Sequence, residues 1–428
     1  VLAVLAGCGA GDDAGREQGA RTEGGSTAAP ARTPAQAERP DVLATGLTES
    51  NPQLLWDATS HPDVAAGFAP WRDRLAALRP RYLRIPIYWS QLQPDPGKAA
   101  TLDAPADGCM RGTAPCGPSR GLSEQLAAVA SLQRAARERG EPPPEVMAVI
   151  AGVPDWAASG PSGCERSDAG PSSRPIAPGA LAAYGTLIKD FSALASAQGA
   201  SVRWWSPWNE PNHPAFISPQ RAECSEISPT LAAAVYAQLV RAARDALDAV
   251  PGDQGLVLGE MAGTTVPSPH RSTVQEMVAA LPDDVVCASR TWSQHDYAQV
   301  TPDSEKPDPV TALEQALDAR PCAQGAHVWV TETGVGGADP GADRPTDDAS
   351  LRAGCRAQDA ALRRWADDPR VDVAFQYTFR EDPAYPVGLA DAGLARTYPT
   401  YDLWRAWGGM RAPGDPPPAP PATCAESG

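Results

Sequence analysis

The sequence predicts an α/β protein of a single domain, a (β/α)8 TIM barrel, and three observations carry that prediction. Short β-rich runs alternate with helical patterns through the whole middle of the chain. Eight of each can be counted, the number a closed barrel needs. Most of the runs are continuously apolar instead of alternating, as expected of strands covered on both faces. A doubly wound sheet could use the same alternation, but nothing here resembles its Gly-rich phosphate turn. No solenoid-type repeat occurs either.

In order, the strands are expected at 42–47, 81–87, 145–150, 202–207, 255–260, 285–292, 326–331 and 371–379. The helices that follow them are expected at 70–78, 123–139, 180–197, 231–250, 272–281, 310–319, 349–366 and 399–407. The long ones are rich in Ala and Leu, with charges at helical spacing. Ser123 is placed to cap the second helix, and Gly140 and Gly199 to end the second and third. The barrel domain is expected over 41–411, between a tether at 9–40 and a Pro-rich tail at 412–428. The tether has no apolar periodicity and reads as flexible linker. The tail should lie over the domain surface, pinned through Cys424.

Composition narrows the function classes. Lys and Arg total 36 against 52 Asp and Glu, a formal net charge of -16. Phosphate backbones demand a positive footprint, so a nucleic-acid partner is excluded and a soluble acidic surface expected. The nine cysteines show no zinc spacing and point to an oxidising compartment. Leu5-Ala6-Gly7-Cys8, after an apolar opening, resembles the lipobox of bacterial lipoproteins. That resemblance implies cleavage before Cys8, a lipid on its thiol and residues 1–8 as the end of a signal. The basic start of such a signal is missing, so the start is expected to be truncated or misassigned. No apolar stretch is long enough to span a membrane, so membrane contact is expected through the lipid alone, and the protein is expected to be a monomer. The remaining eight cysteines pair by adjacency as Cys109 with Cys116, Cys164 with Cys224, Cys287 with Cys322 and Cys355 with Cys424.

Chemistry in a barrel sits at the C-terminal ends of its strands. The fourth run ends Trp204-Trp205-Ser206-Pro207-Trp208-Asn209-Glu210-Pro211-Asn212, and the seventh ends Val328-Trp329-Val330-Thr331-Glu332-Thr333-Gly334. Each sets a Glu just past a buried strand, where opposite strands can bring two carboxylates across one pocket. Cleaving a glycosidic bond needs such a pair, one carboxylic acid to protonate the departing oxygen and one carboxylate to attack or to activate water. Trp204, Trp205 and Trp208 are candidates to give Glu210 the less polar setting that holds a proton.

Asn-Glu-Pro after a fourth strand with a Glu after the seventh resembles the retaining glycoside hydrolases of the 4/7 superfamily (clan A), over about 41–410. The resemblance implies a carbohydrate-cleaving hydrolase with Glu210 as acid/base and Glu332 as nucleophile, while the cysteines and the Cys8 motif lead to the expectation of an extracytoplasmic protein, lipid-anchored or secreted. It implies Asn209 on the sugar 2-hydroxyl and Arg84, in Leu83-Arg84-Ile85-Pro86, supporting the nucleophile. In His295-Asp296-Tyr297 it implies that Tyr297 hydrogen-bonds Glu332. Cellulase-like members often carry a His after strand three. Here that place reads Val153-Pro154-Asp155-Trp156-Ala157, which resembles the xylosidase- and exopolysaccharide-hydrolase-like branch. The family's Trp after strand eight is absent, leaving Tyr377 or Phe379 in its place.

Trp156 and Trp208 are expected to stack on sugar faces, with Trp89 and Trp292 open between sugar and core. Trp365, Trp404 and Trp407 are expected in the core. Glu49, Glu260 and Glu381 are weaker candidates, as binding or supporting carboxylates. No metal motif stands out, and no cofactor is expected. The competing readings are a glycan-binding surface lipoprotein on a degenerate barrel, a two-lobed solute-binding lipoprotein, and transglycosylation on the same covalent intermediate.

Overall fold

The structure is a computed structural model, described at residues 40–59, 61, 66–300, 306–336, 344–409 and 414–426. Cys8 and all but the last residue of the 9–40 tether lie outside the described residues.

Nine strands form one parallel sheet among the described residues, in the order β5-β4-β3-β2-β1-β9-β8-β7-β6. They are β1 (Ala44–Thr48), β2 (Tyr82–Tyr88), β3 (Glu145–Ala151), β4 (Trp204–Ser206), β5 (Gly255–Leu256), β6 (Leu258–Met261), β7 (Thr291–His295), β8 (His327–Thr333) and β9 (Val371–Tyr377). β5 and β6 are halves of a single barrel strand broken at Val257. The first half pairs with β4 and the second with β7, so the sheet meets itself there. The barrel therefore has the eight positions expected from sequence, with β7, β8 and β9 as the sixth, seventh and eighth. One sheet, not two lobes, carries the domain.

The break has a local cause. Gly259 holds φ +103, and a Cβ there would stand 2.4 Å from the Ser293 carbonyl, so only glycine fits. The kink lets one strand serve two neighbours whose directions differ, and it re-aims Glu260, the next residue.

Helices follow every barrel strand: Ala69–Ala77, Gly121–Glu138, Leu181–Gln198, Ala232–Leu247, Val274–Ala280, Pro309–Asp318, Asp348–Asp367 and Pro399–Trp407. Gly199 ends the third in the left-handed conformation, as its sequence position implied. Ser123 is not a cap. The helix begins two residues earlier, Glu124 accepts the Arg120 N–H at 3.0 Å, and Ser123 accepts from Gln198 instead. The sixth strand also starts later than the apolar run suggested. Asp283–Val286 forms a helical turn in which two acidic residues meet the positive end, and Val285 and Val286 are buried as helix.

Alternation along the strands sorts two cores. Outward positions such as Leu83, Ile85, Trp205 and Val330 pack under the helices. Inward ones close the barrel's lower end with Tyr82, Met147, Trp204, Val257, Trp329, Val373 and Phe375. Gly46 makes room for this plug, since a Cβ would meet the Phe375 ring at 2.3 Å.

All four expected disulfides form. Cys109–Cys116 closes a loop after β2, and Cys164–Cys224 joins the loops after β3 and β4. Cys355–Cys424 pins the tail, whose backbone carbonyls also receive Arg356 and Arg363. Four such bridges are the mark of an oxidising environment outside the cytoplasm. No helix among the described residues is long and apolar enough to cross a membrane.

Candidate active site

Two or three residues above the aromatic plug the inward positions become charged. Arg84 follows Tyr82 on β2, Glu332 follows Trp329 on β8, and Glu260 follows Val257 on the broken strand. Arg84 is buried and points its guanidinium at three partners. It donates to Glu260 at 2.6 and 3.1 Å and to Asn209 Oδ1 at 2.7 Å, and it pairs with Glu332 at 2.8 Å. Burial opposes its charge, but Glu260 and Glu332 outweigh that and raise its pKa further.

His295, at the end of β7, meets three carboxylates. Its Nδ1 lies 2.9 Å from Glu210 and 3.3 Å from Glu332, and its Nε2 lies 3.2 Å from Glu260. Carboxylates accept and do not donate when ionised, so both ring nitrogens must carry protons. Burial would drive the imidazole neutral, yet Glu332, Glu210 and Glu260 hold its pKa up at about 10. The site is thus three carboxylates around two cations.

The carboxylates differ in setting. Glu260 is 0% exposed. Burial pushes its pKa up, but Arg84 and His295 bring it down to about 2. Glu210, partly open at its tip, is likewise pushed up by burial and pulled below the ordinary value by the His295 hydrogen bond and charge. Glu332 accepts from Tyr297 Oη at 2.6 Å. Glu210 and Glu260 both hold left-handed backbones, φ 39 and φ 50, and the Glu210 N–H donates to the Glu260 carbonyl at 2.8 Å. That conformation costs a non-glycine residue about 1 kcal/mol or more and is held by surrounding contacts.

Glu210, Glu332, Asn209, Arg84, His295 and Tyr297 are therefore gathered at one place, as the sequence pattern expected. Tyr377 stands at the end of β9, its ring 5.8 Å from that of Tyr385, which lies 5.0 Å from the Tyr297 ring. Phe379 is fully buried against Trp71 and Tyr401, so of the two candidates after the last strand Tyr377 faces the site. Trp156 is half-buried, donating to the Gln93 carbonyl at 2.8 Å and meeting Trp89 edge to face.

The expectation of a sugar face on Trp208 is corrected. Its indole is 1% exposed and donates to the Phe216 carbonyl, so it is core, as are Trp89 and Trp292. The indoles do not keep Glu210 protonated either. Trp204 belongs to the barrel plug, Trp205 faces the helices, and Glu210's partner is a cation. Glu49 accepts backbone N–H groups of Asn51 and Arg380, and Glu381 pairs with Arg344. Both act in the loops.

Tyr385, Tyr88 and His213, 3.9 Å from Glu210, were missed at the sequence level because they come from loops or carry no spacing signal. Glu260's depth was missed too. Its signal was a lone charge inside an apolar run. Glu210, His295 and Glu332 each bring a ligand atom within 4.8 Å of the others and form the one candidate metal cluster among the described residues. A cation there would have to displace the imidazolium proton and compete with Arg84, which already supplies the positive charge.

No family model matches the sequence, and no curated protein matches it. Solved structures share the fold. SrfJ from Salmonella typhimurium is 11% identical, with 87% of this chain and 75% of that one covered and a TM-score of 0.51. A glucosidase from Croceicoccus marinus is 11% identical, with 88% and 69% covered and a TM-score of 0.50. At such identity the likeness establishes a barrel of this type and nothing finer.

Proposed function

We propose that the chain is a retaining glycoside hydrolase, cleaving O-glycosidic bonds of an extracellular oligo- or polysaccharide by double displacement. One observation carries the reading: an oxygen of Glu210 and one of Glu332 lie within 4.8 Å of each other. Retention requires carboxyl groups about 5 Å apart, whereas inversion leaves room for a water at about 6.5–9.5 Å. The neighbouring structure described as a glucosidase agrees with this class of chemistry.

In the first step Glu332, oriented by Tyr297 and Arg84, attacks the anomeric carbon. The bond to the leaving oxygen breaks, and Glu210 delivers a proton to that oxygen. Glu210 and Glu332 compete for the single Nδ1 proton of His295, at 2.9 and 3.3 Å. When that donor turns to Glu332, Glu210 loses its hydrogen bond and takes up a proton from solvent or keeps the one removed from water in the preceding turnover. Once the glycosyl ester has formed, Glu332 no longer carries charge and the imidazolium turns back to Glu210. Glu210, now a carboxylate, removes a proton from water, which attacks the ester and releases the sugar. In this reading Asn209, held by Arg84, takes the sugar 2-hydroxyl, and Trp156 and Tyr377 take the ring. No cofactor enters these steps.

The test is a screen of the purified domain on a polysaccharide panel, with product anomers followed by NMR. A retained first product supports the reading, and an inverted one overturns it. Glu332→Ala should abolish turnover while leaving the fold intact, and wild-type turnover in that variant would sink the assignment. The protein is further proposed to act as a monomer tethered by lipid on Cys8. A single species in light scattering and an acylated N-terminal peptide in mass spectrometry check the two parts.

A further inference from the structure

Glu260 is the one carboxylate of the cluster that cannot touch a substrate. It is 0% exposed, lies beneath Arg84 and His295, and comes from the kinked fifth strand, with its backbone N–H donating to Ser293 Oγ at 2.7 Å. A buried charge persists only when it is paired, and this one is paired to both cations that hold the reacting carboxylates. The arrangement is specific. Oε2 alone takes Arg84 Nε, Arg84 Nη2 and His295 Nε2.

We infer that Glu260 is a positioning residue that keeps His295 doubly protonated from its far nitrogen, so that Nδ1–H can alternate between Glu210 and Glu332. This rests on the glycosidase reading above and adds to it. A neutral imidazole could hold its one proton on either nitrogen. With Glu260 on Nε2 and two carboxylates on Nδ1, the ring needs both, and the donor facing the substrate is never lost. The charged groups facing the ring are Glu210 from the fourth strand end, Glu260 from β6, Glu332 from β8 and, through those last two, Arg84 from β2. Glu260 thereby acts on both steps without contact to the sugar. The backbone bond from Glu210 N–H to the Glu260 carbonyl ties the two strand ends, so the same residue also fixes where the acid/base stands.

The experiment has two arms. In the first, His295 is followed by nitrogen NMR of the imidazole in the full chain without substrate. The wild type should show an imidazolium with two protonated nitrogens throughout the neutral range. A ring that titrates near its ordinary value in the wild type overturns the inference, and this reading needs neither a variant nor any enzymatic activity. Glu260→Gln should bring that titration down into the neutral range, and an unchanged titration overturns it equally. In the second arm, on whichever glycoside the wild type cleaves, Glu260→Gln should lower kcat about 100-fold with little change in KM and move the loss of activity at high pH toward neutrality. Glu260→Asp, which keeps the charge, should restore the pH profile in part. A fall in KM-dependent binding alone, with the profile unmoved, would mark Glu260 as merely structural and refute the proposal. If the wild type cleaves no glycoside, the function proposed above fails, and the imidazole titration still decides the role of Glu260.

Discussion

Replacing Arg84 by methionine keeps an unbranched apolar stem in its place and removes the guanidinium from a carboxylate without access to water. The size of the effect follows from Glu260. Its pKa stands at about 2 against an ordinary 4.5, despite the burial that pushes it the other way, because Arg84 and His295 stabilise the charge. A displacement of that size corresponds to about 3 kcal/mol at neutral pH. Removing one partner of a buried pair costs a similar ~3–5 kcal/mol. The displacement is shared between Arg84 and His295, so it sets an upper bound, and Arg84→Met should lose about 2–3 kcal/mol of stability at pH about 7. The pH dependence has a definite sign. A carboxylate with a depressed pKa contributes its stability in full above the unfolded value and loses it as pH falls toward the folded one. The wild type therefore surrenders this contribution between about 4.5 and about 2, while the variant has less to surrender. The gap between them should narrow as the solution is acidified. Urea unfolding at neutral pH and at about pH 3 measures it. An equal gap at both, or no gap at neutral pH, would show that the Arg84–Glu260 pair does not carry the energy assigned to it.

Three further outcomes follow from the same geometry. Tyr297→Phe deletes a 2.6 Å hydrogen bond to Glu332, and at about 1.5–3 kcal/mol for a bond to a charged group kcat should fall about 10- to 100-fold in steady-state assays. Trp208→Ala should cost about 3–5 kcal/mol in thermal unfolding, because its indole is buried core. Glycan affinity lost at full stability would instead return it to the binding surface. Glu210→Ala should lose hydrolysis and regain release of the sugar when azide is added, giving a glycosyl azide of retained configuration by NMR. No azide adduct would argue against Glu210 as the acid/base.

Much of the site was legible because barrel chemistry is tied to strand ends. Glu210, Glu332, His295 and Tyr297 stand at or just past the ends of apolar runs and Arg84 lies within one, and the barrel brings such positions together whatever their distance in sequence. The disulfide pairs were legible for a related reason, since three lie in loops or near strand starts that the alternation already made neighbours, and the fourth ties the tail to one of the last helices. Side-chain roles within the runs were harder. Trp208 and Trp156 look alike in sequence, both just past a strand, yet one is sealed under the Phe216 carbonyl and the other half open beside Gln93. Ser123 read as a cap because its neighbours are helical, and the helix simply began earlier with Glu124 serving the exposed N–H.

Alone, then, the sequence determined the architecture, the strand ends that carry charge and the two carboxylates that face each other, because periodicity and chain order settle those. Tertiary structure decided the protonation of the cluster. Whether Glu210 is a neutral acid among indoles or an anion beside an imidazolium depends on His295 within about 3 Å of it, and that ring is held in turn by Glu260 and Glu332 from two other strands. The same holds for Glu260, an unremarkable charge in its run that the glycine kink turns inward beneath Arg84 and His295.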